Sequence, residues 1–299
     1  MNMSQMGDMQ LYISGRPDIL KDANITHILS VIDEDLDPTL FAGYEHLQIE
    51  EDDSDEVDLI RQFKRCNEFI EKGIASGGGV LVHCLMGISR SVTITAGYLI
   101  YKNKWSAEQA LEFIRDSRSI AHPNFGFREQ LDIYARNLAQ AEVALDTVVD
   151  YKRYLFRRDV NTALVMDMVP RVGEYAVVDV QSLMEGEMVV KCKKCRLDID
   201  INSAPLALSR SIIEHEKTDS RDPEAVCERY FVDPIAWMKP ELGKSLMEGI
   251  FRCPGCSEEV GAYAWSGTEC NCGGWVIDVF PAMVIWRAGV ELHDPRVPN

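Results

Sequence analysis

The sequence predicts an α/β domain with a central, mostly parallel sheet, followed by a small β-rich domain held together by metal. Three observations carry this expectation. In residues 10–148 strand-like runs alternate with helical periodicity; one apolar run, Val80-Leu81-Val82, passes through a tight loop into a helical pattern; and seven of the nine cysteines follow residue 190. A chain of 299 residues, 46% of them hydrophobic, is long enough to bury two cores. The formal charge of −17, from 31 basic and 48 acidic residues, disfavours indiscriminate binding to nucleic acid or anionic membrane. No apolar run reaches the ~18 residues of a membrane span, and the first residues lack the pattern of a secretory leader. We therefore expect a soluble, intracellular chain with no membrane partner.

The elements follow in order. Leu11-Tyr12-Ile13, residues 25–32 and residues 45–49 read as strands. Between 55 and 75 the apolar positions Leu59, Ile60, Phe63, Phe69, Ile70 and Ile74 recur at helical spacing, and Ser76-Gly77-Gly78-Gly79 ends that helix. Cys66 falls on its apolar face and is expected to be core. Val80-Leu81-Val82 is the short, unbroken apolar run of a strand covered on both faces. Helical patterns follow near 90–102, 107–117 and 125–148. Residues 151–158, basic and aromatic, open a linker or bridging segment at 150–186. The expected domains are thus 1–149 and 187–299, the second with β-like runs at 188–190, 229–232 and 276–280.

The chemistry concentrates in residues 83–91, His-Cys-Leu-Met-Gly-Ile-Ser-Arg-Ser. The spacing between Cys84 and Arg90 lets the backbone curl into a cup. The N–H groups of Leu85, Met86, Gly87, Ile88, Ser89 and Arg90 line it, and the following helix directs its positive end at the centre. A phosphate dianion suits such a cup, and Arg90 is expected to close the ring with a forked pair of hydrogen bonds. Donors aimed inward favour Cys84 as a thiolate, whose attack on phosphorus would form a cysteinyl-phosphate. Ser91 is expected to donate to the sulfur as it leaves, His83 to order the loop, and Met86 to narrow the choice of substrate. The leaving oxygen needs a proton, and the acidic run at 50–56 holds the candidates. By composition alone that run is a solvated loop.

The order Asp53, Leu59, Phe63, Phe69-Ile70 and Val80-Leu81-Val82-His83-Cys84 resembles the dual-specificity phosphatase family, as does Ala121-His122-Pro123-Asn124-Phe125-Gly126-Phe127. The resemblance implies a phosphoprotein substrate, phosphorylated on Tyr or on Ser/Thr. It puts the general acid at Asp53, with Asp52 as the adjacent alternative, and makes Asn124 a structural support beneath the loop.

In the second half, Cys192-Lys-Lys-Cys195 and Cys253-Pro-Gly-Cys256 have the spacing of zinc knuckles, and Cys270-Asn-Cys272 adds two thiols. Four N/S ligands per structural zinc, taken in chain order, make Cys192, Cys195, His215 and Cys227 one set and Cys253, Cys256, Cys270 and Cys272 the other. Spacing does not fix connectivity, so a crossed pairing of the knuckles stays open. The two zinc ions are structural, and catalysis requires no cofactor. Seven thiolates outweigh the charge of two such ions, so any attraction to RNA must be local. Lys191, Lys193, Lys194 and Arg196 form one candidate patch, and Lys152, Arg153, Arg157 and Arg158 another. Tyr151, Tyr154 and Phe156, interleaved with the second patch, suit equally a helix packing one face on a domain.

A phosphatase half followed by a two-zinc half resembles the Yvh-one type of ribosome-assembly phosphatase. The matching stretches are Ser211-Ile212-Ile213-Glu214-His215, Tyr230 to Met238, and Cys253 through Trp265 to Trp275. The resemblance implies late maturation of the large (60S) ribosomal subunit: docking on pre-60S particles through the zinc domain, with rRNA as a further contact, and release of the stalk-base placeholder factor. It also implies a cytoplasmic and nuclear location and a monomer outside the particle. The alternative is a signalling phosphatase whose zinc domain targets substrates or responds to redox state.

Overall fold

The computed structural model describes residues 3–16, 24–170, 189–197, 229–231, 236–266, 268–269, 275–276, 282–286 and 289–293. The chain divides into two compact units, Met1–Tyr151 and Lys152–Asn299.

The first unit is built on a sheet of five strands: β1 (Ser4–Gln5), β2 (Leu11–Ser14), β3 (Ile25–Val31), β4 (Glu45–Ile49) and β5 (Gly79–His83), in the order β1-β2-β5-β3-β4. Four strands run parallel, and β1 pairs antiparallel with β2 at one edge. The sheet is therefore mostly parallel, as expected, with one short edge strand that the sequence pattern does not announce. β5 sits in the middle and is buried along its whole length, which its unbroken apolar run anticipates. Leu81 joins Ile25, Ile28 and Phe41 in a cluster on one face, closed by Met3, Tyr12, Leu36 and Tyr44. Val80 points the other way, towards Gly73 of helix α1 (Phe63–Ala75).

Helix α2 (Arg90–Asn103) is the central helix, buried at every residue from Arg90 to Ile100, and packs on α1, α3 (Ala107–Ser117) and α4 (Phe125–Arg136). Ser106 and Gln109 close a reciprocal capping box at the start of α3. Cys66 is fully buried in α1, and burial pushes its thiol up to about 12, so it is an inert core residue.

Two expected boundaries are corrected. The helix expected from 55 begins at Phe63, preceded by a short 3-10 turn at Leu59–Gln62. The side chain of Gln130, on α4, accepts from the Ile60 N–H at 2.8 Å and donates to the Val57 carbonyl at 2.7 Å, so tertiary contacts occupy backbone groups a longer helix needs. The helix expected over 125–148 is broken at Asn137, whose Nδ2 donates to the Ile133 carbonyl at 2.9 Å; α5 (Leu138–Ala144) and a 3-10 turn follow. Residues 150–165 of the expected linker or bridging segment belong to helix α6 (Val149–Val165).

In the second unit, β7 (Arg229–Phe231), β12 (Ala282–Trp286), β9 (Glu259–Ala264) and β8 (Glu248–Arg252) form an antiparallel sheet in that order. β6 (Val189–Cys192) pairs with β13 (Val290–His293), and β10 (Thr268–Glu269) with β11 (Trp275–Val276). Of the β-like run expected at 276–280, residues 277–280 lie outside the described residues, as does 232 of the run at 229–232. Phe251, Tyr263 and Trp265 are buried here with their rings in tilted and edge-on contact in turn, and Phe156 of α6 lies 6.2 Å from Trp265. Tyr151, Tyr154 and Phe156 are all buried, as expected of a helix that packs one face on a domain. Among the described residues no helix is long and apolar enough to cross a membrane.

Candidate active site and metal centre

β5 delivers His83 and Cys84 to the edge of the sheet where all four parallel strands end, and α2 leaves from the same place. Between them the chain reverses through Gly87 at φ +68°, where an added Cβ would lie 2.5 Å from the Gly15 nitrogen and 2.6 Å from Arg118 Nη2. Only glycine fits there.

The loop carbonyls are satisfied from outside. Leu85 O accepts from the Arg16 N–H at 3.1 Å and Ile88 O from the His122 N–H at 2.9 Å. Gly87 O accepts from Arg118 Nε at 2.6 Å and Met86 O from Arg118 Nη2 at 3.3 Å. Carbonyls held outward turn the intervening N–H groups inward. The Gly87 N–H donates to Cys84 Sγ at 3.2 Å, and Ser91 Oγ lies 3.3 Å from the same sulfur. Leu85 and Met86 are exposed at the rim.

Arg90 is buried beside the acidic loops. Its Nη1 donates to the Glu51 carbonyl at 3.0 Å and meets Asp33 Oδ1 at 3.4 Å. Its Nε has no hydrogen-bond partner; the nearest carboxylate, Asp53 Oδ2, is 3.8 Å away. Asp53 Oδ1 accepts from Ser89 Oγ at 2.6 Å and from Asn124 Nδ2 at 3.0 Å, which fixes the carboxyl beside the guanidinium. Asp52 instead accepts from the Asp53 N–H at 2.6 Å. Asn124 Oδ1 caps α4 through the Phe127 N–H, so one amide ties that helix to Asp53. Asn124 thus stands beside the acid, and its own N–H donates to Ser89 Oγ of the loop at 3.2 Å.

Behind the cup, His83 Nε2 is 2.6 Å from Ser30 Oγ, which is 2.8 Å from His46 Nε2. Burial pushes His83 down to about 4, so its ring is neutral at pH 7 and serves the loop as a fixed hydrogen-bond partner.

The residue that sequence reasoning missed is Arg118. It is buried, it holds two loop carbonyls, and burial pulls its guanidinium below the usual range while the Cys84 charge opposes that pull. Nothing local separates it from Arg115, which pairs with Glu108 on the surface. Ser30, and the bond from the Ser89 side chain to Asp53, are likewise not readable locally, because the partners come from other strands and loops.

In the second unit the described cysteines follow the crossed pairing of the knuckles rather than the chain-order partition. Cys192, Cys195, Cys253 and Cys256 come together, with all four sulfurs within 4.8 Å of one another. Cys192 Sγ is 3.7 Å from Cys256 Sγ, and Cys195 Sγ 3.6 Å from Cys253 Sγ. Tetrahedral zinc with Zn–S of about 2.3 Å has sulfur–sulfur edges of about 3.8 Å, so the four thiols fit one ion. The reason is local repetition. In both knuckles the first cysteine's N–H bonds to a carbonyl five residues on, and its carbonyl accepts from an N–H four residues on. Both turns place a left-handed residue at that fourth position, Arg196 and Ser257. Two copies of one turn, at the end of β6 and between β8 and β9, supply two sulfurs each. His215, Cys227, Cys270 and Cys272 lie outside the described residues. The basic patch at the first knuckle is partly neutralised: Lys194 pairs with Glu258, and Arg196 with Glu291 at 2.6 Å.

Comparison with known proteins gives these geometries a family. Residues 10–137 match the model of the dual specificity phosphatase catalytic domain. The chain is 34% identical to tyrosine-protein phosphatase yvh1 of Schizosaccharomyces pombe, over 89% of this chain and 79% of that one. It is 30% identical to tyrosine-protein phosphatase YVH1 of Saccharomyces cerevisiae, over 98% and 92%. Human dual specificity protein phosphatase 12 is 31% identical over 92% and 86%. A solved structure, the Yvh1 phosphatase domain from Chaetomium thermophilum, shares 36% identity over 47% of this chain and 99% of that one, with a TM-score of 0.42. The alignments to the relatives run well beyond the catalytic domain, and the chain belongs to the Yvh1-type dual-specificity protein phosphatases, hydrolases of phosphorylated protein side chains.

Proposed function

We propose that Cys84, Arg90, Ser91 and Asp53 carry the phosphatase reaction, with the N–H groups of residues 85–90 as the phosphate cradle. The observation that supports this most is the Cys84 sulfur, 3.2 Å from the Gly87 N–H and 3.3 Å from Ser91 Oγ, inside a loop whose carbonyls are held outward. Sγ attacks phosphorus and the ester oxygen leaves with a proton from Asp53. Water then attacks the cysteinyl-phosphate, giving its proton back to Asp53, while Ser91 donates to the departing sulfur. Arg90 Nε, buried and without a partner, is the donor left for a phosphate oxygen. Cys84→Ser should abolish hydrolysis of an aryl phosphate by the full chain. Asp53→Asn should lower turnover on the order of 10²-fold while retaining binding of a phosphate analogue. That pattern in Asp52→Asn, with Asp53→Asn active, would move the acid by one residue.

The second half carries two structural zinc ions: one on Cys192, Cys195, Cys253 and Cys256, the other on the four remaining donors, His215, Cys227, Cys270 and Cys272. It acts in biogenesis of the large ribosomal subunit, binding pre-60S particles in cytoplasm and nucleus and promoting release of the stalk-base placeholder factor. Support comes from the resemblance of both halves to the Yvh-one type and from relatives that align through most of the chain. Co-sedimentation with large-subunit precursors tests it. Binding should survive Cys84→Ser and fail in a Cys253→Ser, Cys256→Ser variant. Loss only in the first would sink the docking role and favour a signalling phosphatase.

A further inference from the structure

We infer that the active site selects phosphorylated segments rich in Lys and Arg. This deepens the phosphatase assignment above and rests on it. The mouth of the cup is framed by two acidic loops. Asp33-Glu34-Asp35 follows β3, and the run at 50–56, with six carboxyls, follows β4. The register places them there: Val31 pairs with Ile49, and Ser30 with His83, so both loops leave the sheet beside the phosphate loop. Side-chain contacts agree. Asp33 reaches Arg90 at 3.4 Å, Asp53 is held by Ser89, and Glu34 pairs with Arg16, whose N–H holds Leu85. Asp55 is pinned against α4, where a Cβ on Gly126 would lie 2.0 Å from the Asp55 carbonyl.

Among the described residues, the opposing cations Arg16, Arg118 and Arg128 are committed. Arg16 is paired with Glu34, Arg118 faces the outer carbonyls, and Arg128 on α4 bonds to the Pro123 carbonyl and to His122. Arg90, which starts the helix after the loop, is buried with an Nε that makes no hydrogen bond, so the centre keeps a donor for an anion while the rim repels one. A phosphate on a neutral or acidic segment reaches that centre against the repulsion of the rim, with nothing on the segment to offset it. A phosphate flanked by Lys and Arg offers the rim the charges it lacks, and the field acts on encounter and on the bound state alike.

The test uses the full chain and three phosphotyrosine peptides that differ only in flanking residues: Arg/Lys, Gln or Glu. kcat/KM for the basic peptide should exceed that for the acidic one by about tenfold or more in dilute buffer, and the ratio should fall towards unity near 0.5 M salt. Hydrolysis of an aryl phosphate in the same preparation reports the catalytic site separately; its absence would refute the phosphatase assignment rather than the selectivity. Asp35→Lys with Glu50→Lys should shrink the basic-to-acidic ratio several-fold. Glu68→Lys with Glu112→Lys, on α1 and α3, makes the same change in net charge away from the mouth and should leave most of it. Equal rates on the three peptides, preference for the acidic one, or equal effects of the two double variants would overturn the inference.

Discussion

His83 gives the phosphatase unit a defined acid sensitivity. It is buried on β5 immediately before the nucleophile, 2.6 Å from Ser30 Oγ, and burial holds it at about 4 against an ordinary 6.5. Because the folded-state value is depressed, the unfolded chain takes the proton first as pH falls. The neutral ring therefore costs the fold nothing above about pH 6.5, and stability is lost progressively as pH drops from there towards about 4. The gap corresponds to about 3 kcal/mol in full, of which about 2 kcal/mol falls between pH 7 and pH 5. Urea unfolding at both pH values measures it, read by pulsed hydrogen exchange in the Gly79–His83 strand because four of the five tryptophans lie in the other unit. The wild-type chain should lose about 2 kcal/mol more than His83→Gln over that interval, since only the wild type has this ring to protonate. Carboxylates titrate in both proteins and cancel in the difference. Equal losses in the two proteins, or a His83 ring titrating near 6.5 by NMR, would refute the reasoning.

Two further predictions concern the supports of the sites. Arg118→Lys keeps the charge but removes the fork that holds Met86 O and Gly87 O, so kcat/KM for an aryl phosphate should fall on the order of 10²-fold, with the loss mainly in kcat. An unchanged kcat would show that the loop holds its shape without that guanidinium. Metal analysis of the native chain should find about two zinc ions, and Cys253→Ser should remove about one of them along with the thermal stability of the second unit. Retention of both ions in that variant would break the assignment of Cys253 to the first site.

Much of the catalytic site was legible before the fold was described, and the reason is contiguity. Cys84, Gly87, Arg90 and Ser91 belong to one strand–loop–helix passage, so their mutual geometry is set by a few successive backbone angles. Asp53 lay further off, and only the family's spacing pointed to it. The structure adds Ser89 and Asn124 at its carboxyl, contacts that span 36 and 71 residues of chain. The knuckles show the complementary case. Each Cys-x2-Cys turn is readable alone, but spacing leaves its partner open between chain order and a crossed pairing, and the structure brings the two knuckles together. The pairing depends on which hairpins the sheets bring together, and local spacing holds no record of that.

The sequence by itself determined the alternation of strand and helix, the buried central strand, the phosphate-binding loop and the metal-binding character of the second half. These rest on interactions within a few residues, or on a periodicity of burial that any packed core requires. Only the tertiary structure decided that Arg118 props the loop, that Ser30 holds His83, that two acidic loops converge on one mouth, and that Cys192 and Cys195 meet Cys253 and Cys256. Each of those depends on chain segments made neighbours by sheet order and register, which are set by the packing of the whole unit.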